Sequence, residues 1–137
     1  MSEFVLPLRV YLEDTDAQGV VYNASYFRFL ERARTEWLRA KGVEHNRLRG
    51  EHGIVLVLVG IEVKFRRPAS LDDELYVAAE LSKVTGARFV FRQDIRRDTS
   101  DGLLLCEGVA EVACMDAMQR KPRRVPKALL KELNVWM

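Results

Sequence analysis

The chain has 137 residues and a mass of 15.8 kDa, so we expect a single domain over residues 1–137, with a core just large enough for independent folding. Hydrophobic residues make up 48% and charged residues 31%, which excludes a disordered, fibrous or low-complexity chain. The 22 Lys and Arg residues nearly balance the 20 Asp and Glu residues. This balance argues against a protein that coats nucleic acid.

The length of the apolar segments and the position of the cysteines indicate the cellular compartment of the protein. The longest apolar run, Ile54 to Val59, is far below the ~20 residues of a membrane-spanning helix. No basic segment precedes the apolar residues 4–6, so we expect no secretory signal. Cys106 and Cys114 lie in one extended segment, about 26 Å apart if it is straight, which prevents a disulfide between them. These features predict a cytoplasmic protein.

The first predicted elements are a strand, a turn and a long helix. The strand covers Leu8–Glu13, with Val10 and Leu12 on one face. Turn-forming residues follow from Asp14 to Gly19. A helix is then predicted over 24–41, because apolar residues recur at the spacing of one helical stripe: Tyr26, Leu30, Ala33 and Trp37. Asn23 suits the N-cap position, and Gly42 suits the left-handed residue that ends many helices.

Alternating patterns predict four further strands. Along Ile54–Phe65 the odd-numbered residues from Val55 onward are apolar and should share one face, whereas the other face is apolar only in its first half. A strand that is apolar on both faces lies between layers or in a subunit interface. Strands joined by hairpins follow at 75–81, 89–95 and 103–115, and Pro126 opens a short terminal helix. This order predicts an α+β domain with a mainly antiparallel sheet and the helix on one face.

The sequence lacks the motifs of several enzyme classes. It has no nucleophile elbow, no P-loop, no dinucleotide-binding glycine motif and no zinc-ligand spacing. The segment from Asp14 to Gly19 resembles the start of a calcium loop, but Ser25 stands where a bidentate Glu is required and Gln18 lacks a carboxylate. We therefore expect neither a metal nor a cofactor.

The strongest candidate for chemistry is the junction from Glu13 to Tyr26. A helix that starts near Asn23 leaves its first N–H groups unpaired, with the positive end of the helix dipole behind them. Such groups stabilise the oxyanion that forms when a carbonyl is attacked. Asp16 precedes this point by seven residues, and its carboxylate could act as a general base or as a nucleophile. By spacing alone, however, Asp and Gly before a helix more often form only a turn and cap.

Two segments of the chain carry a specific resemblance: RVYLEDTDAQGVVYNASY at 9–26 and FLERARTE at 29–36. They resemble the 4-hydroxybenzoyl-CoA thioesterase-like branch of the hotdog-fold acyl-CoA thioesterases, nearest the subgroup associated with the bacterial Tol-Pal system. The similarity extends over essentially the whole chain and is strongest over 9–42. It implies a five-stranded sheet wrapped around one long helix, and hydrolysis of an acyl-CoA to a carboxylic acid and free CoA.

The resemblance also implies roles for single residues. Asp16 matches the catalytic carboxylate, and the backbone N–H groups of Tyr22 and Asn23 match the position that polarises the thioester carbonyl. The residues that match substrate-binding positions are Gly19, Tyr26 and Glu31, although Glu31 is as typical of a solvated or ion-paired helix carboxylate. The subgroup commonly has His in place of Asn23 and Gly in place of Gln18, so its substrate preference does not carry over directly.

The family further implies partners. Its members form dimers or tetramers whose sheets join edge to edge, with the thioester between two subunits, and an acyl carrier protein is a possible further partner. Coenzyme A carries several phosphates, for which the candidate residues are Arg88, Arg120, Lys121 and Arg123. His45 and His52 fall in the helix-to-strand connection, where surface positions are expected.

Two competing functions stay open at this point. A hotdog dehydratase acting on 3-hydroxyacyl thioesters normally needs a His beside the Asp, and both histidines lie outside the motif. A non-catalytic module that binds acyl-CoA or acyl carrier protein would use the same fold. The retained Asp16 argues against the module, because a binder gains nothing from a desolvated carboxylate beside a thioester.

Overall fold

The computed structural model describes residues 3–135, which form one five-stranded sheet with the strand order β1-β3-β4-β5-β2. The strands are β1 (Glu3–Arg9), β2 (Ile54–Phe65), β3 (Glu74–Thr85), β4 (Arg88–Arg97) and β5 (Leu103–Asp116). All neighbouring strands are antiparallel. The predicted sheet is thereby confirmed, and β1 and β2 are left as its edges.

Helix α1 (Asn23–Ala40) packs on β1, β3 and β4. Its predicted apolar stripe is buried, with Tyr26, Leu30, Ala33 and Trp37 each at most 3% exposed. The Trp37 ring meets Phe91 of β4 edge to face, with the ring centroids 5.4 Å apart. The helix ends before Gly42, which takes φ +79°, a conformation that other residues rarely adopt. Helix and sheet together form the α+β architecture expected from the sequence.

The first strand lies earlier in the chain than predicted. β1 ends at Arg9, and residues Leu12–Asp14 form a 3₁₀ turn that leaves Leu12 75% exposed. The alternation that builds the strand is that of Phe4, Leu6 and Leu8, which pack against the core. The predicted strand over Leu8–Glu13 is therefore wrong, because the Asp14 carboxylate accepts the Tyr11 N–H at 2.9 Å and turns the chain.

The faces of β2 also differ from the prediction. The register with β5 shifts between Leu58 and Gly60, which marks a β-bulge at Val59. Before the bulge the even-numbered Ile54 and Leu56 face the core, whereas after it the odd-numbered residues Ile61 and Val63 do so. One inserted residue exchanges the two faces of a strand. The expectation of a single apolar face from Val55 to Phe65 is therefore wrong.

The remaining elements close the ends of the core. A short helix α2 (His45–Arg47) and a wider helical turn (Leu48–His52) lead into β2, and helix α3 (Lys127–Glu132) buries Leu129 and Leu133. Cys106 and Cys114 are free thiols in the core, and burial raises the pKa of Cys106 to about 12. Within residues 3–135 no helix is both long and apolar enough to cross a membrane.

Candidate active site

A pocket of about 480 Å³ opens where the N-terminal end of α1 meets the end of β2. One wall is the loop that leads into the helix, and the other is the segment that leaves β2. The lining residues are Asp16, Val20, Val21, Tyr22, Asn23, Tyr26, Phe65, Arg66, Arg67 and Pro68. Four of the predicted site residues therefore share this pocket: Asp16, Tyr22, Asn23 and Tyr26.

Asp16 presents an exposed carboxylate to the pocket. Its Oδ1 accepts the N–H of Gln18 at 2.8 Å, which orients the side chain within its own turn. Its backbone N–H donates to Val20 O at 2.9 Å, and its carbonyl accepts the N–H of Gly19 at 3.1 Å. Gly19 takes φ +80°, a backbone conformation that allows this tight turn. It was predicted to bind substrate, but it is not among the residues that line the pocket. The second oxygen, Oδ2, accepts no hydrogen bond within residues 3–135.

The preceding carboxylate, Asp14, is buried and holds the loop in place. Its side chain is 6% exposed and lies 3.5 Å from an Arg28 guanidinium nitrogen. The Asp14 carbonyl accepts the Tyr22 N–H at 2.9 Å and the Ser25 hydroxyl at 3.2 Å. These bonds join the loop to the first turn of α1, so they set the position of Asp16 relative to the helix.

The sequence predicted the backbone N–H groups of Tyr22 and Asn23 as oxyanion donors, and only the one at Asn23 has no acceptor in the described chain. Tyr22 is the N-cap and Asn23 the first helical residue, so the predicted N-cap at Asn23 is displaced by one position. The Tyr22 N–H is already bonded to Asp14, which makes its predicted role as an oxyanion donor wrong. Within the described chain, the N–H groups of Asn23 and Ala24 have no acceptor. They lie at the positive end of the helix dipole.

The segment after β2 holds the pocket from the other side. The buried Ala69 donates its N–H to the Tyr26 hydroxyl oxygen at 2.9 Å and accepts the Val21 N–H at 2.8 Å. Burial raises the pKa of Tyr26, so the phenol stays protonated. The Tyr26 and Phe65 rings are tilted against each other with centroids 5.3 Å apart. Tyr26 therefore shapes the pocket wall and supports the loop.

Glu31, the third predicted substrate-binding residue, does not line this pocket. It lies further along α1, where it accepts a hydrogen bond from the Thr35 hydroxyl at 3.0 Å. There it lines a second cavity, between α1 and the first half of β2.

The basic residues predicted for CoA phosphates lie away from the Asp16 pocket of their own chain. Arg88 forms an ion pair with Glu111 at 2.7 Å, and Arg123 donates to the His52 carbonyl at 2.8 Å. Arg120 and Lys121 are exposed in the turn after β5. All four therefore lie towards the Ile54 end of β2 rather than its Phe65 end.

The pocket instead contains two arginines that sequence reasoning missed. Arg66 pairs with Glu107 at 3.1 Å, whereas Arg67 forms no ion pair within residues 3–135. The only signal in the sequence was that both stand just before Pro68, which ends the strand. Their position beside Asp16 depends on the packing of segments about fifty residues apart, which no local pattern reveals.

One group of potential metal ligands lies elsewhere, at Glu51, His52 and Glu132, with the ligand atoms within 4.8 Å of one another. Arg47 already binds both carboxylates, Glu51 at 2.9 Å and Glu132 at 2.7 Å. The guanidinium neutralises the two acids, so we interpret the group as an ion-pair network that ties α2 to α3.

The pocket is lined by Asp16, which carries a carboxylate, and by Asn23, whose N–H has no acceptor within residues 3–135. This arrangement is suited to attack on a carbonyl carbon. A model of the thioesterase-like superfamily matches residues 10–133. An acyl-CoA thioesterase YbgC from Haemophilus influenzae is 43% identical over 124 residues, 90% of this chain and 89% of the relative. An acyl-CoA thioester hydrolase YbgC from Escherichia coli is 42% identical over 131 residues, 96% of each chain.

A solved structure agrees with these relatives. A probable thioesterase from Bartonella henselae superposes with a TM-score of 0.84 at 36% identity, covering 91% of this chain and all of that one. The hotdog fold implied by the sequence is thereby confirmed. Since the family model spans most of the sequence and the relatives are similar over nearly their whole length, this chain belongs to the thioesterase-like superfamily of hotdog proteins.

Proposed function

We propose that this enzyme hydrolyses an acyl-CoA thioester to a carboxylic acid and free CoA, with Asp16 as the catalytic carboxylate. The observation that carries the proposal is the shared pocket of the Asp16 carboxylate and the Asn23 backbone amide, which has no acceptor in the described chain. The relatives from H. influenzae and E. coli, named acyl-CoA thioesterase and acyl-CoA thioester hydrolase, support the reaction class.

The proposed chemistry starts with the thioester oxygen against the N–H group of Asn23 at the start of α1. As a general base, Asp16 takes a proton from water while the water oxygen attacks the carbonyl carbon. The oxyanion is stabilised by the helix-start amides, the C–S bond breaks, and the leaving thiolate takes up the proton. As a nucleophile, Asp16 Oδ2 would instead form a mixed anhydride with release of the thiolate, and water would then cleave the anhydride. Both routes require the same pocket.

A second copy of the chain would complete the site. β2 is an edge strand, and its apolar Val57, Leu58 and Val59 are 39%, 44% and 46% exposed. A long exposed apolar edge readily pairs with another strand. Antiparallel pairing of two β2 strands would place the Phe65 end of one copy, with its Asp16 pocket, beside the Ile54 end of the other.

This proposed pairing would also bring the predicted phosphate-binding residues of one copy near the pocket of the other. The basic turn with Arg120, Lys121 and Arg123 lies near the Ile54 end of β2, so the second copy would present these cations beside the Asp16 pocket of the first. Arg120, Lys121 and Arg123 of the second copy are therefore our candidates for binding the CoA phosphates, and Arg88 is a more distant one. An acyl carrier protein as partner and a cytoplasmic location stay predictions.

The two competing functions are less well supported. No histidine lines the Asp16 pocket among the described residues, which disfavours dehydration of a 3-hydroxyacyl thioester. A non-catalytic binding module would not need free amides directed at a carbonyl oxygen. Both alternatives predict no thiol release from simple acyl-CoAs.

The test is a thiol-release assay with short, long and aromatic acyl-CoAs. We expect Asp16→Asn to lower kcat by ~10²- to 10⁴-fold, because the amide neither accepts the proton nor attacks the carbonyl. Asp101→Asn, at an exposed hairpin position, is the matched control and should retain wild-type kcat. Wild-type turnover by the Asp16→Asn variant would refute the assignment of Asp16, and enoyl absorbance from a 3-hydroxyacyl-CoA without thiol release would favour dehydration.

A further inference from the structure

The second cavity contains a buried cation that the proposed reaction does not use. Arg34 on α1 is 7% exposed, and one of its guanidinium nitrogens donates to Gln93 Oε1 at 2.8 Å. Gln93 is itself buried and donates through Nε2 to the Leu30 carbonyl at 2.9 Å. This bond orients the Gln93 amide so that its oxygen meets Arg34. The guanidinium forms no ion pair with any carboxylate within residues 3–135.

A buried guanidinium with no carboxylate within ion-pair distance is unusual, because buried charges in proteins are normally paired closely. Burial lowers the pKa of Arg34 from its ordinary value and the nearby charge of Glu31 raises it. The group still carries its charge, since the delocalised guanidinium of an arginine is not deprotonated in proteins. A guanidinium has five N–H donors, and its bond to Gln93 leaves donors free for an acceptor from outside the chain.

Arg34 lines a cavity of about 90 Å³ between α1 and the first half of β2. The cavity walls are apolar, formed by Leu38, Leu56, Leu58, Phe91 and Val112. Its polar lining consists of Arg34 with Glu31, Thr35 and His45, and the Thr35 hydroxyl lies 3.2 Å from His45 Nε2. An apolar cavity with a few convergent polar groups is typical of a ligand pocket.

The cavity is not continuous with the Asp16 pocket of its own chain. Arg34 lies eleven residues after Asn23, about 16 Å along the helix. The two cavities share no lining residue, and Phe65 of the Asp16 pocket packs on both Tyr26 and Phe27. In the β2 pairing proposed above, however, the first half of β2 in one copy would lie beside the Phe65 end of the other. The second copy's Asp16 pocket would then open towards this cavity.

We propose that the cavity holds the far end of a short acyl group that bears a carboxylate, with Arg34 as its counter-ion. The substrate class is then the CoA monothioester of a short dicarboxylic acid, an inference that rests on the proposed function. A guanidinium binds a carboxylate through two parallel hydrogen bonds, and the apolar walls suit the intervening methylene groups. The volume is below the ~150 Å³ of a cavity that binds benzene, which favours a chain of a few carbons.

The test compares two thioesters of equal length, glutaryl-CoA and pentanoyl-CoA, which differ in the terminal carboxylate. We expect kcat/KM of the wild type to be about 10- to 100-fold higher for glutaryl-CoA, carried mainly by KM. Arg34→Met should abolish this preference while retaining turnover of pentanoyl-CoA. The matched control is Arg32→Met, which removes an exposed arginine of the same helix and should keep the preference. Equal kcat/KM for both thioesters in the wild type would overturn the proposal.

A binding measurement separates this proposal from the proposed function and from a folding defect. Isothermal titration of the Asp16→Asn variant should show tighter binding of glutaryl-CoA than of pentanoyl-CoA. That preference without turnover of any acyl-CoA by the wild type would refute the thioesterase function but keep the carboxylate site. Turnover of both thioesters without a binding preference would refute only the carboxylate site. If Arg34→Met does not fold, Arg34→Lys should keep the charge but weaken the preference through loss of the paired hydrogen bonds.

Discussion

Asp14 and Asp16 stand two residues apart in one loop, yet their surroundings are opposite. The Asp14 side chain is 6% exposed, accepts the Tyr11 N–H and lies beside Arg28. Asp16 is exposed, lines the pocket, and has one carboxylate oxygen without a partner in the described chain. The first carboxylate builds the loop and the second is free to act on a ligand.

The difference shows that two aspartates in one short loop have different roles: Asp14 stabilises the loop, and Asp16 is available for chemistry. The buried Asp14 carboxylate accepts the Tyr11 N–H and lies beside Arg28, while the backbone carbonyl of the same residue accepts the Tyr22 N–H and the Ser25 hydroxyl. A carboxylate so engaged has little capacity left for a substrate. We therefore expect substitutions at the two positions to act on different quantities, stability at Asp14 and turnover at Asp16.

The largest expected effect is on turnover by Asp16→Asn, the ~10²- to 10⁴-fold loss proposed above. The free energy of unfolding should change by less than about 0.5 kcal/mol, because the side chain is exposed and bonded only within its own turn. Urea unfolding followed by circular dichroism measures this quantity. A destabilised Asp16→Asn variant would mean that the two aspartates share the structural role.

Asp14→Ala should lower the free energy of unfolding by about 2 to 3 kcal/mol, because it removes a buried acceptor and leaves the Tyr11 N–H and Arg28 without it. Urea unfolding is again the measurement, with Asp101→Ala as the exposed control. Activity should fall as well, since the loop that positions Asp16 loses its anchor. Unchanged stability would contradict the assignment of Asp14 as the anchor.

Tyr26→Phe should cost about 1 to 2 kcal/mol of stability, because the buried Ala69 N–H loses its acceptor. Tyr22→Phe is the matched control for stability, since that side chain is 60% exposed. Thermal unfolding of the two variants should rank Tyr26→Phe clearly below Tyr22→Phe. Equal melting temperatures would show that the bond to Ala69 does not support the pocket wall.

The smallest expected effect is that of Arg28→Met, below about 1 kcal/mol, because its side chain is 57% exposed and water screens its pair with Asp14. The comparison with Asp14→Ala is informative, since both variants remove the same ion pair but only one removes the buried acceptor. A loss at Arg28 as large as that at Asp14 would show that the ion pair, rather than the hydrogen bond to Tyr11, holds the loop.

Much of this fold could be predicted from the sequence because the patterns that specify it are local. The stripe of Tyr26, Leu30, Ala33 and Trp37 identified α1, and alternating residues with turn signals located β3 to β5. The β-bulge at Val59 was not predictable, since an inserted residue leaves the composition of a strand unchanged while exchanging its faces.

The candidate site, like the fold, has features that the sequence predicted and others that it did not. The motif placed Asp16 and Asn23 before a helix because a chain that turns at Gly19 and enters α1 must bring them close together. The sequence did not show that the Tyr22 N–H is taken by Asp14, or that Arg66, Arg67 and the buried Arg34 face cavities. Local periodicity by itself determined which residues form helix, strands and loop. Only the tertiary structure decided which polar groups remain unpaired, because hydrogen bonding and burial depend on partners brought together from distant parts of the chain.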